Sequence, residues 1–287
     1  MTLWRSGSQV AFLCLALIVT GGAFAAVPAL KGGSPVTQKT YQNLVSHRAI
    51  YDLSLSRVSA SDGVRSASGT MTFTLTDRCD GYTIESNLSM EMTFANGSDN
   101  QVEQRYAAWE SKDGRSSTFR LQVMENGTLA KAYRGNIQLQ EDGSGVATYE
   151  SDQVAKFDLP AGTLISTAHT LELLNSAAAH ERFVARMVID GSFDEGPLWV
   201  TAAIAPSLPA PSASPKGGDA STLDSGPYWP IGMAYFPAIS TQELPEYEIT
   251  QHLFTSGITH SMSQDFGGFA LAFKPVRFEP VTVVACP

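Results

Sequence analysis

GTMTFTLTDRCDGYTIESNLSMEMTF, residues 69–94, decides the fold. Met71, Phe73 and Leu75 alternate with Thr70, Thr72, Thr74 and Thr76. After Asp80-Gly81, the residues Tyr82, Ile84, Leu88, Met90, Met92 and Phe94 share one parity. Thr83, Glu85, Asn87, Ser89, Glu91 and Thr93 share the other. Successive side chains of a strand point to opposite faces, so each run puts one face on a core and the other in water, as antiparallel sheets permit. Asp-Gly between the two runs is a hairpin signal. The stretch therefore predicts two long antiparallel strands joined by a tight turn.

The same pattern extends in both directions. Tyr51, Leu53 and Leu55 precede it, and Phe119, Leu121 and Val123 follow it. Ile137 and Leu139 continue the alternation, as do Phe269, Leu271 and Phe273 near the end. Turn dipeptides fall between runs at Asp62-Gly63, Asn96-Gly97, Asp113-Gly114, Asn126-Gly127 and Asp142-Gly143. Their spacing predicts an all-β chain built as a long antiparallel meander of hairpins. One segment breaks the period. After Pro160-Ala161-Gly162-Thr163, the residues Leu164, Ala168, Leu171, Leu174 and Ala178 form an apolar stripe at helical spacing. This predicts one main helix over Leu164–Ala179, with Thr163 or Ser166 as its N-cap, lying across the apolar side of the curved sheet. Strands resume over Arg182–Ile189 and Leu198–Ile204.

The first 25 residues read as a secretory signal, with Arg5 in the leading region, an apolar run over Val10–Thr20 and Ala23-Phe24-Ala25 at the cleavage point. The run is too short to span a bilayer, which needs about 20 apolar residues. Residues 26–44 then form a flexible mature N-terminus, and residues 45–287 a single β domain. Within that domain, residues 207–226 are rich in Pro, Ser, Ala and Gly and read as a mobile loop. Cys14 leaves with the signal, so only Cys79 and Cys286 remain. In an oxidising compartment the default for such a pair is a disulfide; an intermolecular bridge or two free thiols are the alternatives.

Lys and Arg number 19 against 28 Asp and Glu, a net charge of −9. That balance argues against nucleic acid and anionic membrane surfaces as partners. The sequence carries no nucleophile elbow, no phosphate-binding loop and no Ca²⁺ loop. His169 and His180 lack the spacing of a metal-binding pair, and no cofactor is expected. His252 and His260 are separated by a turn signal at Gly257. Glu246 and Glu248 fall on one face of an expected strand, as solvated edges commonly do. The apolar candidates for a ligand or partner surface are Met90, Met92 and Phe94, together with Trp229, Tyr235 and Phe236 in a proline-broken aromatic segment.

Several segments, in order, resemble the EipB-like cell-envelope integrity proteins, a family first catalogued as a domain of unknown function. They are His47–Leu53, Gly69-Thr70-Met71, Cys79–Tyr82, Leu159–Leu164 and Thr167–Thr170. Trp229-Pro230, Tyr235-Phe236, Leu244–Glu248 and Asp265–Phe269 follow, and Cys286 stands where the family's second cysteine falls. The long Pro/Ser stretch and Ser256-Gly257 depart from the family pattern. The resemblance implies a periplasmic protein of α-proteobacteria whose sheet curls into a spiral, an incompletely closed barrel similar to lipoprotein carriers. It implies a bridge between the two cysteines and a role in envelope homeostasis without enzyme activity. The partner is then a periplasmic envelope protein or a lipid component, the latter held as an acyl group on the concave face. An exported hydrolase or metal enzyme using His169 and His180 is the rival reading. If the signal is read correctly, N-terminal sequencing of the exported protein should begin at Ala26; a retained Met1 would contradict it.

Overall fold

The computed structural model describes residues 41–59, 63–211, 226–238, 243–283 and 286. The expected signal, residues 26–40 of the expected flexible segment and residues 212–225 of the Pro/Ser-rich stretch lie outside them.

Among the described residues, fifteen strands and one helix follow in chain order. The first eight strands are β1 (His47–Val58), β2 (Val64–Asp77), β3 (Gly81–Phe94), β4 (Asp99–Ser111), β5 (Ser116–Glu125), β6 (Thr128–Leu139), β7 (Gly145–Glu150) and β8 (Val154–Leu159). Then come β9 (Leu164–Ile165), α1 (Ser166–Ala178), β10 (Phe183–Ile189) and β11 (Leu198–Ile204). The last four described strands are β12 (Tyr228–Pro237), β13 (Tyr247–Phe254), β14 (Thr259–Asp265) and β15 (Phe269–Pro280). All fifteen strands belong to one sheet, ordered β8-β7-β6-β5-β4-β3-β2-β1-β15-β14-β13-β12-β11-β10-β9. Every neighbouring pair is antiparallel except β9 and β10.

This order is two meanders joined at their outer ends. The first runs outward from β1 to β8, the second inward from β9 to β15, and β15 then pairs with β1. Laid flat, fifteen strands at the usual spacing would set the edges about 67 Å apart. Yet the edge strands β8 and β9 are separated in sequence only by Pro160–Thr163. Five extended Cα steps span at most about 18 Å. The sheet must therefore curl back on itself, and because β8 and β9 do not pair, it stays unclosed.

The register sorts the alternating residues onto one inner face. Ile84, Ala108, Phe119, Gly135 and Tyr149 stand opposite one another in turn across β3 to β7. Val200, Tyr235 and Tyr247 do the same across β11 to β13. Burial follows that parity: Ala49, Tyr51, Leu53, Ile84, Met92, Ile137, Val200 and Ile231 are all buried. The helix is shorter than expected, because Leu164 and Ile165 pair with Val188 and Ile189 as β9. Its N-cap position is Ile165, which offers no side-chain cap. Neither Thr163 nor Ser166 plays that part, since the Thr163 hydroxyl instead donates to the Pro160 carbonyl at 2.7 Å.

Cys79, in the turn between β2 and β3, is bridged to Cys286, six residues past β15, with Cα atoms 5.5 Å apart. Cys79 adopts φ +70°, and its N–H donates to Asp77 Oδ1 at 2.9 Å. Lys112 anchors the same turn from β4's end. It lies 2.5 Å from Asp77 Oδ2, and its ammonium sits over the Tyr82 ring at 5.0 Å. The bridge closes a loop across 207 positions and ties Cys286 to the turn that follows β2, the strand neighbouring β1. By chain entropy such a closure stabilises by about 5 kcal/mol, with measured losses usually about 2–5 kcal/mol. Cys79→Ala is therefore expected to lose about 2–5 kcal/mol in urea unfolding and to melt at a lower temperature. An unchanged melting temperature would contradict this.

Candidate functional site

Part of the inner face is occupied. α1 enters it at β4, where Glu110, fully buried, receives the helix. Glu110 Oε2 accepts from the Thr167 N–H at 2.7 Å and from the Thr167 hydroxyl at 2.6 Å. The carboxyl satisfies orphan donors of the first turn and faces the positive end of the helix dipole. Its other oxygen, Oε1, is buried without a hydrogen-bond partner among the described residues. Burial pushes the Glu110 carboxyl up from 4.5 to about 7, against the pull of the Thr167 hydrogen bonds. Two residues after Thr167, His169 is buried, its Nε2 without a hydrogen-bond partner among the described residues. Burial, and then the Arg186 guanidinium, hold its imidazole down at about 4. Toward the other end, Asn175 clasps the backbone of Tyr41, accepting from its N–H at 2.6 Å and donating to its carbonyl at 3.2 Å.

The β10–β11 loop fills a second part. Asp190 accepts from the Ser192 N–H and hydroxyl, both at 2.7 Å, which fixes a tight turn. Gly191 (φ +79°) and Gly196 (φ +100°) press against the Phe119 and Phe157 rings, where any Cβ would collide. Phe193 is buried between them in sequence, and Asp194 pairs with Lys131 at 2.7 Å. The Tyr106 hydroxyl donates to the Asp190 carbonyl. Tyr133 and Tyr149 are buried beside this loop with hydroxyls that find no partner among the described residues. Tyr235 stacks on Tyr247, centroids 4.5 Å apart. Burial raises all five phenols, and the Asp190 and Asp194 carboxylates add to it at Tyr133 and Tyr149. A chamber of tyrosine rings thus surrounds one aspartate-anchored loop. Tyr106, Tyr133, Tyr149 and Tyr247 were legible only as inward-parity positions within strands.

Not all of the inner face is filled. Met71, Leu88 and Gln104 on β2–β4 and Ile249, Met262 and Gln264 on β13–β14 point inward by register yet remain partly accessible. Met90 and Met92, opposite Val102 and Asn100, are buried in the same face, and Phe94 ends β3 half-buried. Trp229 is buried opposite Leu253. Tyr235 faces inward opposite Val200, whereas Phe236 faces outward opposite Trp199. The six apolar candidates are therefore divided between two faces and do not form a single patch.

The polar candidates are dispersed as well. His180 is exposed beyond the C-terminus of α1, while His169 lies buried in its first turns. His252 meets Ser261 at 3.1 Å, and His47 meets the Val45 carbonyl at 2.7 Å. Glu248 faces outward opposite Asp265, and Glu246 precedes the strand that was expected to hold both. Among the described residues no three His, Cys, Asp or Glu side chains are grouped as a metal site would require. No helix among them is long and apolar enough to cross a membrane.

A sequence profile of EipB-like proteins matches residues 38–282. The chain belongs to the EipB-like family. It is 29% identical over 239 residues to the cell envelope integrity protein EipB of Brucella abortus (strain 2308), covering 82% of this chain and 84% of that protein. A crystal structure of a β-barrel-like protein of a domain of unknown function from Brucella abortus superposes with a TM-score of 0.76 at 27% identity. That match covers 83% of this chain and 99% of the other. The fold is thus shared with a β-barrel-like protein of known structure.

The two buried titratable groups in α1's path act in opposite senses on this EipB-like fold. Between about pH 4.5 and 7, folded Glu110 holds a proton that the unfolded chain has released, so its contribution to stability falls as pH rises. Between about pH 6.5 and 4, the unfolded chain protonates His169 while the folded protein does not, so stability falls as pH drops. Each slope is at most about 1.4 kcal/mol per pH unit. Urea unfolding at several pH values should show Glu110→Gln gaining on the parent as pH rises from about 5 to about 7. His169→Gln should gain as pH falls from about 6.5 to about 4. A difference that stays flat with pH would contradict the assignment for that residue.

Proposed function

We propose that this EipB-like protein is a non-catalytic periplasmic factor that maintains the cell envelope by binding a protein partner on its outer surface. The partly occupied inner face carries this reading. α1, seated on Glu110, and the Asp190–Gly196 loop occupy part of that face and leave less room for an open lipid-carrying cleft. Binding then falls to the exterior. The name of the Brucella relative supports the envelope role, and the export signal and the Cys79–Cys286 bridge support an oxidising compartment. The scattered histidines give the hydrolase reading no converging acid, base and nucleophile.

A second reading keeps one observation in its favour. The partly accessible inner residues Met71, Leu88, Ile249 and Met262 leave apolar surface inside the curl. A lipid or a lipoprotein acyl chain held there would bury it. Native mass spectrometry of protein drawn from the periplasm separates the two: a bare mass is expected from an exterior binder, and a stoichiometric lipid adduct would overturn it. For the envelope role itself, a deletion strain should be hypersensitive to detergent and to cell-wall antibiotics, with resistance restored by the intact gene. Unchanged sensitivity would overturn that role.

A further inference from the structure

The outer face of β3–β7 carries a charge arrangement that the fold does not need. Register places Glu85, Ala107, Arg120, Arg134 and Glu150 opposite one another in turn across the five strands. One step along the strands, Asn87, Arg105, Gln122 and Ala132 form a parallel row. Two adjoining grooves of about 460 and 670 Å³ run over these rows and share the Arg120–Arg134 centre.

Arg120 and Arg134 are directly opposite on neighbouring strands, and like charges so placed destabilise a sheet. Arg134 has a partner in Glu150 at 3.0 Å, and Arg105 has a weaker one in Glu103 at 3.7 Å. The exposed Arg120 side chain has no ion pair or hydrogen bond among the described residues. An uncompensated arginine held against another, in a protein of net charge −9, is a repulsion that one bound carboxylate would remove. The guanidinium fork suits carboxylates in a bidentate manner, and two forks side by side can grip one from both sides. Ala107 and the half-buried Trp109 ring give the adjoining floor an apolar portion.

We propose that this trough docks an acidic protein segment, with a carboxylate seated between Arg120 and Arg134. The proposal rests on the partner-binding reading above and names the surface and its chemistry. The rim selects this occupant. Glu85, Glu103 and Glu150 border the arginines, so a broad anionic membrane would meet carboxylates along with the guanidinium groups. A narrow chain running along β5 and β6 lies over the arginines, with Glu150 one strand to one side and Glu85 two strands to the other.

Fluorescence anisotropy with a fluorescein-labelled hexaglutamate peptide tests the site on the full mature chain. The parent should bind at low salt, and Arg120→Glu should weaken binding by about tenfold or more, the loss of a charge-assisted contact turned into a repulsion. That variant should also melt at or above the parent's temperature, because the introduced carboxylate would sit opposite Arg134 in place of a repelling guanidinium. Lys274→Glu, the same charge change on exposed β15, should bind like the parent. Equal losses in both variants would reduce the effect to net charge and overturn the site. Failure of the parent to bind would overturn it too, as would preferential binding of phosphatidylglycerol vesicles. In cells, the Arg120→Glu gene should fail to restore detergent resistance to the deletion strain. A deletion strain as resistant as its parent would overturn the envelope role while leaving peptide binding intact. A sensitive strain whose purified protein ignores the peptide would overturn the trough alone.

Discussion

The pairing of β1 with β15 is the constraint on which the rest of the structure depends. These are the first and last strands among the described residues, and they stand side by side in the middle of the sheet order. Without that ladder the protein would be two separate meanders, of eight and seven strands, linked through Pro160–Thr163. With it, the link between β8 and β9 becomes a short tether across the two free edges, and the sheet has to curl. Tyr51, Leu53, Phe273 and Phe278 bury their side chains along this seam. The Tyr51 hydroxyl adds a hydrogen bond to the Thr259 carbonyl at 2.5 Å. Because such non-local pairing must first overcome a large loop-closure entropy, the Cys79–Cys286 bridge beside the seam lowers that entropy where it is greatest.

An unclosed curl leaves an interior to be filled, and the fillers come from the junction of the two meanders. α1 follows β9 directly and takes its N-terminal partner from Glu110 on β4, 57 residues away. The β10–β11 loop reaches Phe119 and Phe157 on the opposite meander through two glycines. Lys131–Asp194 and Arg186–Glu172 add ion pairs at the edges of these contacts. The same elements that hold the halves together also occupy part of the inner face, while the outer face is left to solvent. There the sequence places threonine, serine and charge, and register alone decides which charges meet.

The strands were legible in the sequence because period-two alternation and Asp-Gly or Asn-Gly turns are local signals, and they recur from Tyr51 to Phe273. The helix was legible by its stripe, but its start was not. Its cap is a glutamate from a distant strand, which no local rule could place beside Thr167. The apolar candidates illustrate another limit. Tyr235 and Phe236 are adjacent in sequence and therefore on opposite faces, so an aromatic-rich segment did not amount to an aromatic patch. The tyrosines round Asp190 and the opposed Arg120 and Arg134 depend on register between strands. Register is fixed by long-range pairing and cannot be read from either strand alone.

Native-state hydrogen exchange across the β1–β15 ladder tests the central claim most directly. If the seam makes the two meanders one cooperative unit, amides of β1 and β15 should exchange only through global unfolding. Their opening free energies should match those of β3 and β12, with the edge strand β8 opening earlier. Seam amides that exchange at lower cost than both β3 and β12 would show that the halves come apart while each remains folded, and would contradict the account.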